Sequence, residues 1–114
     1  MKNCALLAVL SLLFGGCASN NQQYYWGEYE TIVYKTHIEP GEFPPLVQIE
    51  KLQTDIQKAE AENKPVLPGL YAHLGLMYAA TGDRALAVAS LEKEKELFPE
   101  STIFIDGLIK RSLN

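Results

Sequence analysis

Residues 68–99 read PGLYAHLGLMYAATGDRALAVASLEKEKELFP, and this stretch decides the fold. Tyr71, Leu74 and Tyr78 recur at steps of three and four residues, the spacing that places side chains on one face of an α-helix. Gly82 can adopt the left-handed conformation that ends a helix. The stretch therefore predicts two helices joined by a tight turn.

The order of residues in this hairpin resembles one tetratricopeptide repeat, a helix-turn-helix unit of about 34 residues. Gly75 would let the second helix approach closely, and Ala87 would keep the crossing tight. The residues that carry the repeat pattern are Tyr71, Leu74, Gly75, Tyr78, Gly82, Ala87, Leu91 and Pro99. Glu94 stands where a repeat usually has a small residue, so we expect that no following helix tightly covers this face. A generic helical hairpin remains the alternative.

The segment before this hairpin predicts another helix. Pro44 and Pro45 suit a helix start, and apolar residues then follow with the helical period. These residues are Leu46, Ile49, Leu52, Ile56 and Ala59. Asn63, Pro65 and Pro68 are expected to end this helix before the next one begins.

Residues 24–42, YYWGEYETIVYKTHIEPGE, carry two conflicting signals. The run at residues 31–33, Thr-Ile-Val, favours a strand, whereas the spacing of Trp26, Tyr29, Val33 and His37 favours a helix that faces the next helix with these residues. We favour the helix because a lone strand would have no partner elsewhere in the chain. Residues 39–41, Glu-Pro-Gly, are then the turn to the next helix.

The end of the chain predicts a closing helix. Ser101 can cap it, and Lys110 and Arg111 lie near its carboxyl end, where cations suit the helix dipole. The apolar residues expected to face inward are Ile103, Phe104, Leu108 and Ile109. The predicted fold is therefore all-α over residues 24–114, with two helical hairpins of tetratricopeptide type and a C-terminal capping helix.

The first residues have the organisation of a signal peptide. Lys2 precedes a run at residues 4–14 that is apolar apart from Ser11. Eleven helical residues span about 16 Å, well short of the roughly 30 Å of membrane hydrocarbon, so this run fits a signal peptide better than a membrane anchor.

Cys17 follows this run directly, and residues 14–17, Phe-Gly-Gly-Cys, resemble the lipobox of bacterial lipoproteins. The departure is Phe14, where the lipobox normally has Leu. The resemblance implies that residues 1–16 are removed, that the sulfur of Cys17 carries diacylglycerol and that its new amino group is acylated. Several buried acyl chains would hold the protein on a membrane permanently. A structural or free cysteine is the alternative, and a disulfide with Cys4 is disfavoured because Cys4 would be removed.

The residue after the cysteine and the spacer beyond it predict where the domain lies. An aspartate after the cysteine typically retains a lipoprotein in the inner membrane, whereas this chain has Ala18. The resemblance therefore implies an outer-membrane lipoprotein, with the periplasmic leaflet as the expected side. Residues 17–23 would form a short, lipidated polar tether.

Composition and motifs disfavour several functions. The net charge of -4 over 114 residues disfavours nucleic acid as a partner. His37 and His73 are the only histidines, too few for a zinc site of usual ligand spacing, so no metal or other cofactor is predicted beyond the lipid. We find no phosphate loop and no activated serine or cysteine, and we predict that the protein is not an enzyme.

Taken together, YYWGEYE after Cys17, PGLYAHLGLMYAATGD and EKEKELFPES resemble the DUF4810 family of small bacterial lipoproteins over roughly residues 17–110. Genes of this family commonly lie beside those of a CsgG-like outer-membrane lipoprotein and a second small lipoprotein. The resemblance therefore implies an envelope complex with these two proteins as the expected partners, and it implies no mechanism.

The sequence leads to one expected function and one alternative. We expect a non-catalytic protein-protein interaction module of the outer membrane. The residues predicted to bind a partner are Tyr25, Trp26, Tyr71 and Met77. Crowded tyrosine and tryptophan near the tether fit either a binding surface or the domain's own core. The alternative function is an accessory activator of an envelope enzyme, such as a peptidoglycan synthase or hydrolase.

Overall fold

The computed structural model describes residues 23–39 and 41–113. Within these residues the chain is all-α, and five helices pack into one compact body. They are α1 (Tyr29–Ile38), α2 (Pro45–Ala61), α3 (Leu70–Ala80), α4 (Arg84–Leu97) and α5 (Thr102–Ser112), with a 3₁₀ turn at Pro99–Ser101. None of these five helices is long and apolar enough to cross a membrane.

The predictions for the N-terminus lie outside the described residues. These are the signal peptide at residues 1–16, the lipidated Cys17 and the tether as far as residue 22. Gln23, the last residue of the predicted tether, is described and exposed.

The first helix is confirmed, but its predicted inward face is wrong at both ends. Gly27 has a φ of 47° and breaks the chain before the helix begins, so Trp26 precedes α1 and is 61% exposed. His37, near the other end, is also exposed. The fully buried residue of α1 is Ile32, with Tyr29 and Val33 half-buried beside it.

The second helix begins at Pro45, as the two prolines predicted, and the chain turns beyond it at Asn63, which has a φ of 53°. Most of its predicted apolar face is buried or half-buried. Leu46 is the exception, because it is 70% exposed. In the first turn of α2 the buried residue is Gln48, whose side-chain amide donates to the Phe43 carbonyl at 2.6 Å.

The predicted hairpin of α3 and α4 is confirmed, together with the reason for its close packing. A Cβ added at Gly75 would lie 2.8 Å from Cγ of Leu91 and 3.0 Å from the carbonyl oxygen of Ala87. Only a glycine fits at this contact without movement of its neighbours. Gly82 forms the turn with a φ of 85°.

Glu94 is covered, since only 2% of the residue is exposed, and the contacts that cover it come from the start of the preceding helix α3. Its carboxylate oxygens accept hydrogen bonds from the backbone N–H groups of Gly69 at 2.6 Å and Ala72 at 3.2 Å. The first N–H groups of a helix have no partner within the helix and carry partial positive charge. Glu94 is therefore buried because it caps α3 from the neighbouring helix.

The inward face of α5 also differs from its prediction. Ile105, which the sequence pattern did not select, is fully buried. Leu108 and Ile109 are half-buried as part of the core, whereas Ile103 is 89% exposed and Phe104 is also exposed.

The start of α5 agrees with its prediction, because Ser101 takes the N-cap position and the helix begins at Thr102. The Ser101 side chain, however, makes no capping hydrogen bond to α5. Its hydroxyl donates instead to the Phe98 carbonyl at 2.7 Å, within the 3₁₀ turn that precedes the helix.

Candidate interaction surface

The chain before α1 is held against the loop between α2 and α3. The backbone N–H of Tyr25 donates to the Pro65 carbonyl at 2.9 Å, and Tyr25 forms an isolated parallel bridge with Val66. Tyr25 is half-buried against the core. Side chains alternate in an extended segment, so Tyr24 and Trp26, which flank Tyr25 in the chain, both point away from the core and are exposed.

The turn after Trp26 is fixed by a buried carboxylate of α2. Only 1% of Asp55 is exposed, and one of its oxygens accepts a hydrogen bond from the Glu28 N–H at 2.8 Å. Burial raises the pKa of Asp55, and the Glu28 hydrogen bond partly opposes this shift. A side chain at Gly27 would overlap the carboxyl group of Asp55. Asp55 and Gly27 together therefore hold Trp26 in its exposed position.

Three shallow pockets lie on this side of the molecule. The first, of about 500 Å³, is lined by Gln23, Tyr24, Tyr25, Trp26 and Lys64. The second, of about 340 Å³, is lined by Tyr24, Pro65, Val66, Leu97 and Phe98. The third, of about 310 Å³, includes Phe98, Phe104 and Ile105 in its lining. Tyr24 lines both the first and the second pocket, and Phe98 lines both the second and the third, so the three pockets form one continuous surface.

We call this surface the aromatic face and define it by five side chains: Tyr24, Trp26, Leu97, Phe98 and Phe104. Four of the five are exposed, and Phe98 is half-buried. Large exposed apolar side chains that adjoin one another mark interaction sites, and tryptophan and tyrosine contribute strongly to binding energy. The aromatic face therefore has the composition of a protein-binding surface.

The residues predicted to bind a partner fall into two groups. Trp26 is part of the aromatic face, and Tyr25 lies directly beneath it. Tyr71 and Met77 are half-buried on α3 and pack against the core. Burial raises the pKa of Tyr71. The structure thus does not bring these α3 residues together with Trp26 in one pocket.

The residues predicted for repeat packing lie mostly in the interior. Leu74, Gly75, Tyr78, Ala87 and Leu91 are buried, whereas Gly82 and Pro99 are exposed at the ends of the helices they adjoin.

Sequence reasoning did not identify Leu97, Phe98 or Phe104 as surface residues. A signal for the first two exists, because they stand directly before Pro99, where the helix ends. For Phe104 the signal is the helical spacing itself, because Ile105, Leu108 and Ile109 recur at steps of three and four and form the face that packs on the core.

A part-buried polar network joins the first three helices. His73 on α3 hydrogen bonds through Nε2 to Oε1 of Gln48 at 2.7 Å, and its ring packs edge-on against Tyr29 with centroids 5.8 Å apart. Burial lowers the pKa of His73 and raises that of Tyr29. The network therefore connects α1, α2 and α3. Within residues 23–39 and 41–113, no three His, Cys, Asp or Glu side chains are grouped to hold a metal ion.

The sequence profile of the family described as "Domain of unknown function (DUF4810)" matches residues 23–108. The chain belongs to the DUF4810 family. The matched region of this DUF4810 protein includes the whole aromatic face and all but the end of α5. No curated protein and no solved structure matches the chain significantly.

Proposed function

We propose that this DUF4810 protein is an outer-membrane lipoprotein whose helical domain is a non-catalytic protein-protein interaction module. Its expected partners are a CsgG-like lipoprotein and a second small lipoprotein of the same envelope complex. The aromatic face is the binding surface. The observation that carries the proposal is Trp26, a large side chain held in an exposed position by a buried carboxylate, beside further exposed apolar residues.

The helical hairpins support a repeat architecture of tetratricopeptide type. Tyr29 follows Gly27 by two residues, and Tyr71 follows Gly69 by two residues. Leu52 and Leu91 are both fully buried, each three residues before a buried carboxylate, Asp55 or Glu94. Repeat domains of this kind act mainly as binding scaffolds.

The position of the aromatic face suits a partner on the same membrane. The proposed anchor at Cys17 lies only seven residues before Tyr24, so the tether would keep this face close to the bilayer. Two proteins anchored in one membrane meet at a high effective concentration, and a small apolar surface then suffices for association.

Photo-crosslinking in cells tests the binding surface. A photoreactive phenylalanine analogue would replace Trp26 or Phe104 and, as a matched control, the exposed Leu46 of α2 outside the aromatic face. We expect one crosslinked product from positions 26 and 104, and none from position 46. Mass spectrometry that identifies the CsgG-like lipoprotein or the second small lipoprotein would support the proposal. A cell-wall synthase or hydrolase would favour the activator function instead, and equal crosslinking from all three positions would contradict the proposed surface.

The anchor is tested separately by Cys17→Ser. We expect the variant to lose fatty-acid labelling and to leave the membrane fraction. A variant that keeps both the label and the membrane association would show that the lipid assignment is wrong.

A further inference from the structure

The first and last helices, α1 and α5, lie at the two ends of the helical order. Each helix packs mainly on the next in the chain, so α1 packs on α2, and α5 packs on α4 and the 3₁₀ turn. Both end helices keep exposed apolar side chains: Tyr34 and Ile38 on α1, and Ile103 on α5.

The exposed residues of α1 lie along one line. Glu30, Tyr34 and Ile38 follow one another at four-residue steps, and all three are exposed. Residues at this spacing are neighbours on a helix surface. We call them the N-terminal stripe, which reads acidic, aromatic, aliphatic along the chain.

The last helix has a corresponding line. Ile103, Gly107 and Arg111 also follow one another at four-residue steps. A Cβ added at Gly107 would find its nearest atom, Nη2 of Arg111, at 3.7 Å, so the arginine extends back along this line and lies beside the glycine. We call these residues the C-terminal stripe, which reads aliphatic, glycine, basic.

The two stripes are complementary when they run antiparallel. Ile38 then lies opposite Ile103, Tyr34 opposite Gly107, and Glu30 opposite Arg111. Antiparallel packing is the arrangement expected of neighbouring helices joined by short connections, as α3 and α4 are. A second copy of the chain packed in this way would continue the antiparallel order of neighbouring helices.

The charges around the stripes favour the same pairing. Glu30 and Arg111 have no ion pair within the part of the chain that the structure describes, and Lys110 adds a second exposed cation beside Arg111. Asp106 is the acid on this part of α5, and it pairs with Lys95 of α4 at 2.7 Å.

We propose that the occupant of these end faces is a second copy of this chain, with the N-terminal stripe of one copy packed against the C-terminal stripe of the next. The contact is head-to-tail, so it joins successive copies into a ring or an open row. The aromatic face is not part of this contact, so the proposal does not depend on the proposed function.

Two complementary variants of the full chain, purified in detergent, test the head-to-tail contact by sedimentation. Tyr34→Asp removes the N-terminal stripe, and Ile103→Asp removes the C-terminal stripe. We expect oligomers for the unmodified chain, monomers for each variant alone, and a dimer with nothing larger for their equimolar mixture, because each variant keeps one intact stripe. Leu46→Asp, an exposed residue of neither stripe, should leave the oligomers unchanged.

A monomeric unmodified chain would overturn the proposal. Association that both variants retain alone would also overturn it, since that result would point to shared micelles or another contact. A mixture that stays monomeric would exclude the head-to-tail arrangement.

Charge reversal gives a second test that does not depend on apolar side chains. Arg111→Glu or Glu30→Arg alone should weaken association roughly tenfold, whereas the double variant should recover most of the loss. Both residues are exposed, so folding should be retained. A double variant no better than the two single variants would contradict the pairing. Crosslinking from Trp26 to its partner should be unaffected, which separates failure of this proposal from failure of the proposed function.

Discussion

The two hairpins, α1 with α2 and α3 with α4, are built on one plan but packed to different degrees. In each, a glycine with positive φ, Gly27 or Gly69, precedes the first helix. A carboxylate from the second helix, Asp55 or Glu94, then accepts a backbone N–H at the start of the first helix. The difference lies between the helices, because α3 and α4 pack together far more extensively than α1 and α2.

Gly75 contributes to the closer packing of the second hairpin. Its missing side chain lets α4 approach α3, since a Cβ there would meet Leu91 and the Ala87 carbonyl. Gly75 stands six residues after Gly69, whereas the residue six positions after Gly27 is Val33, so the first hairpin has no glycine at the corresponding position. The capping carboxylate is thus common to both hairpins, and the glycine contact belongs to the second hairpin.

The largest expected effect comes from filling the close contact of the second hairpin. Gly75→Val places atoms where Leu91 and the Ala87 carbonyl already lie, so we expect the free energy of unfolding to fall by about 3 kcal/mol. Urea denaturation followed by circular dichroism measures this loss.

The matched control is Gly107→Ala, because Gly107 is also helical, but a Cβ there would meet only the end of the Arg111 side chain at 3.7 Å, an ordinary contact distance. It should raise the free energy of unfolding by up to about 1 kcal/mol through helix propensity alone. Equal losses at positions 75 and 107 would show that the close approach of α3 and α4 is unimportant.

The next largest effect is expected from removal of the two buried carboxylates, Glu94 and Asp55. Glu94→Ala leaves two N–H groups of α3 without their acceptor, and we expect a loss of about 2–3 kcal/mol. Asp55→Ala removes one such bond, and burial already disfavours the ionised form of Asp55 by raising its pKa, so the loss should be nearer 1 kcal/mol. Thermal and urea unfolding of both variants would decide the order, and a larger loss at Asp55 would contradict the comparison.

How far the sequence predicts this structure depends on whether the signal is local. The five helices and the glycines of the second hairpin follow from spacing and turn chemistry, which act within a few residues of Gly75 and Gly82. The burial of Glu94 does not follow, because its partners Gly69 and Ala72 lie more than twenty residues away. A carboxylate among charged neighbours looks solvated until the helix it caps is known.

The residues of the aromatic face were also predictable only in part. Aromatic crowding identified Trp26, but the sequence left open whether it is core or surface, since its direction depends on Asp55 of another helix. Phe104 was expected inside, but the residue that faces the core is its neighbour Ile105, which follows the helical spacing with Leu108 and Ile109. Tertiary caps, and runs of adjacent apolar residues, thus limit what the pattern predicts.

The third prediction concerns the junction between the hairpins, where His73 contacts both Gln48 and Tyr29. Burial lowers the pKa of folded His73 below its ordinary value of 6.5, so the unfolded chain binds the proton more readily. The free energy of unfolding should therefore fall as pH drops from 6.5 towards the folded pKa, by at most about 1.4 kcal/mol per pH unit.

Urea denaturation at a series of pH values would measure this slope, and His73→Gln should flatten it. A slope that survives in His73→Gln would assign the pH dependence to other groups.

The smallest effect is expected from the ion pair of the first hairpin, between Glu28 and Lys51. Lys51 lowers the pKa of Glu28, chiefly by a hydrogen bond, so this stabilisation is present above pH 4.5 and is lost as the pH falls through the folded pKa. Both side chains are substantially exposed, and solvent screens the pair. We expect Glu28→Gln to lower the free energy of unfolding by only a few tenths of a kcal/mol at pH 7.

Lys51→Gln should cost the same, and the double variant no more than either single variant. The backbone N–H of residue 28 remains available to Asp55 in all three variants, so the turn at Gly27 should persist. A loss at Glu28 as large as that of Asp55→Ala would show that the side chain, and not this backbone group, holds the start of α1. Capping by a carboxylate of the second helix would then not explain the start of the first hairpin.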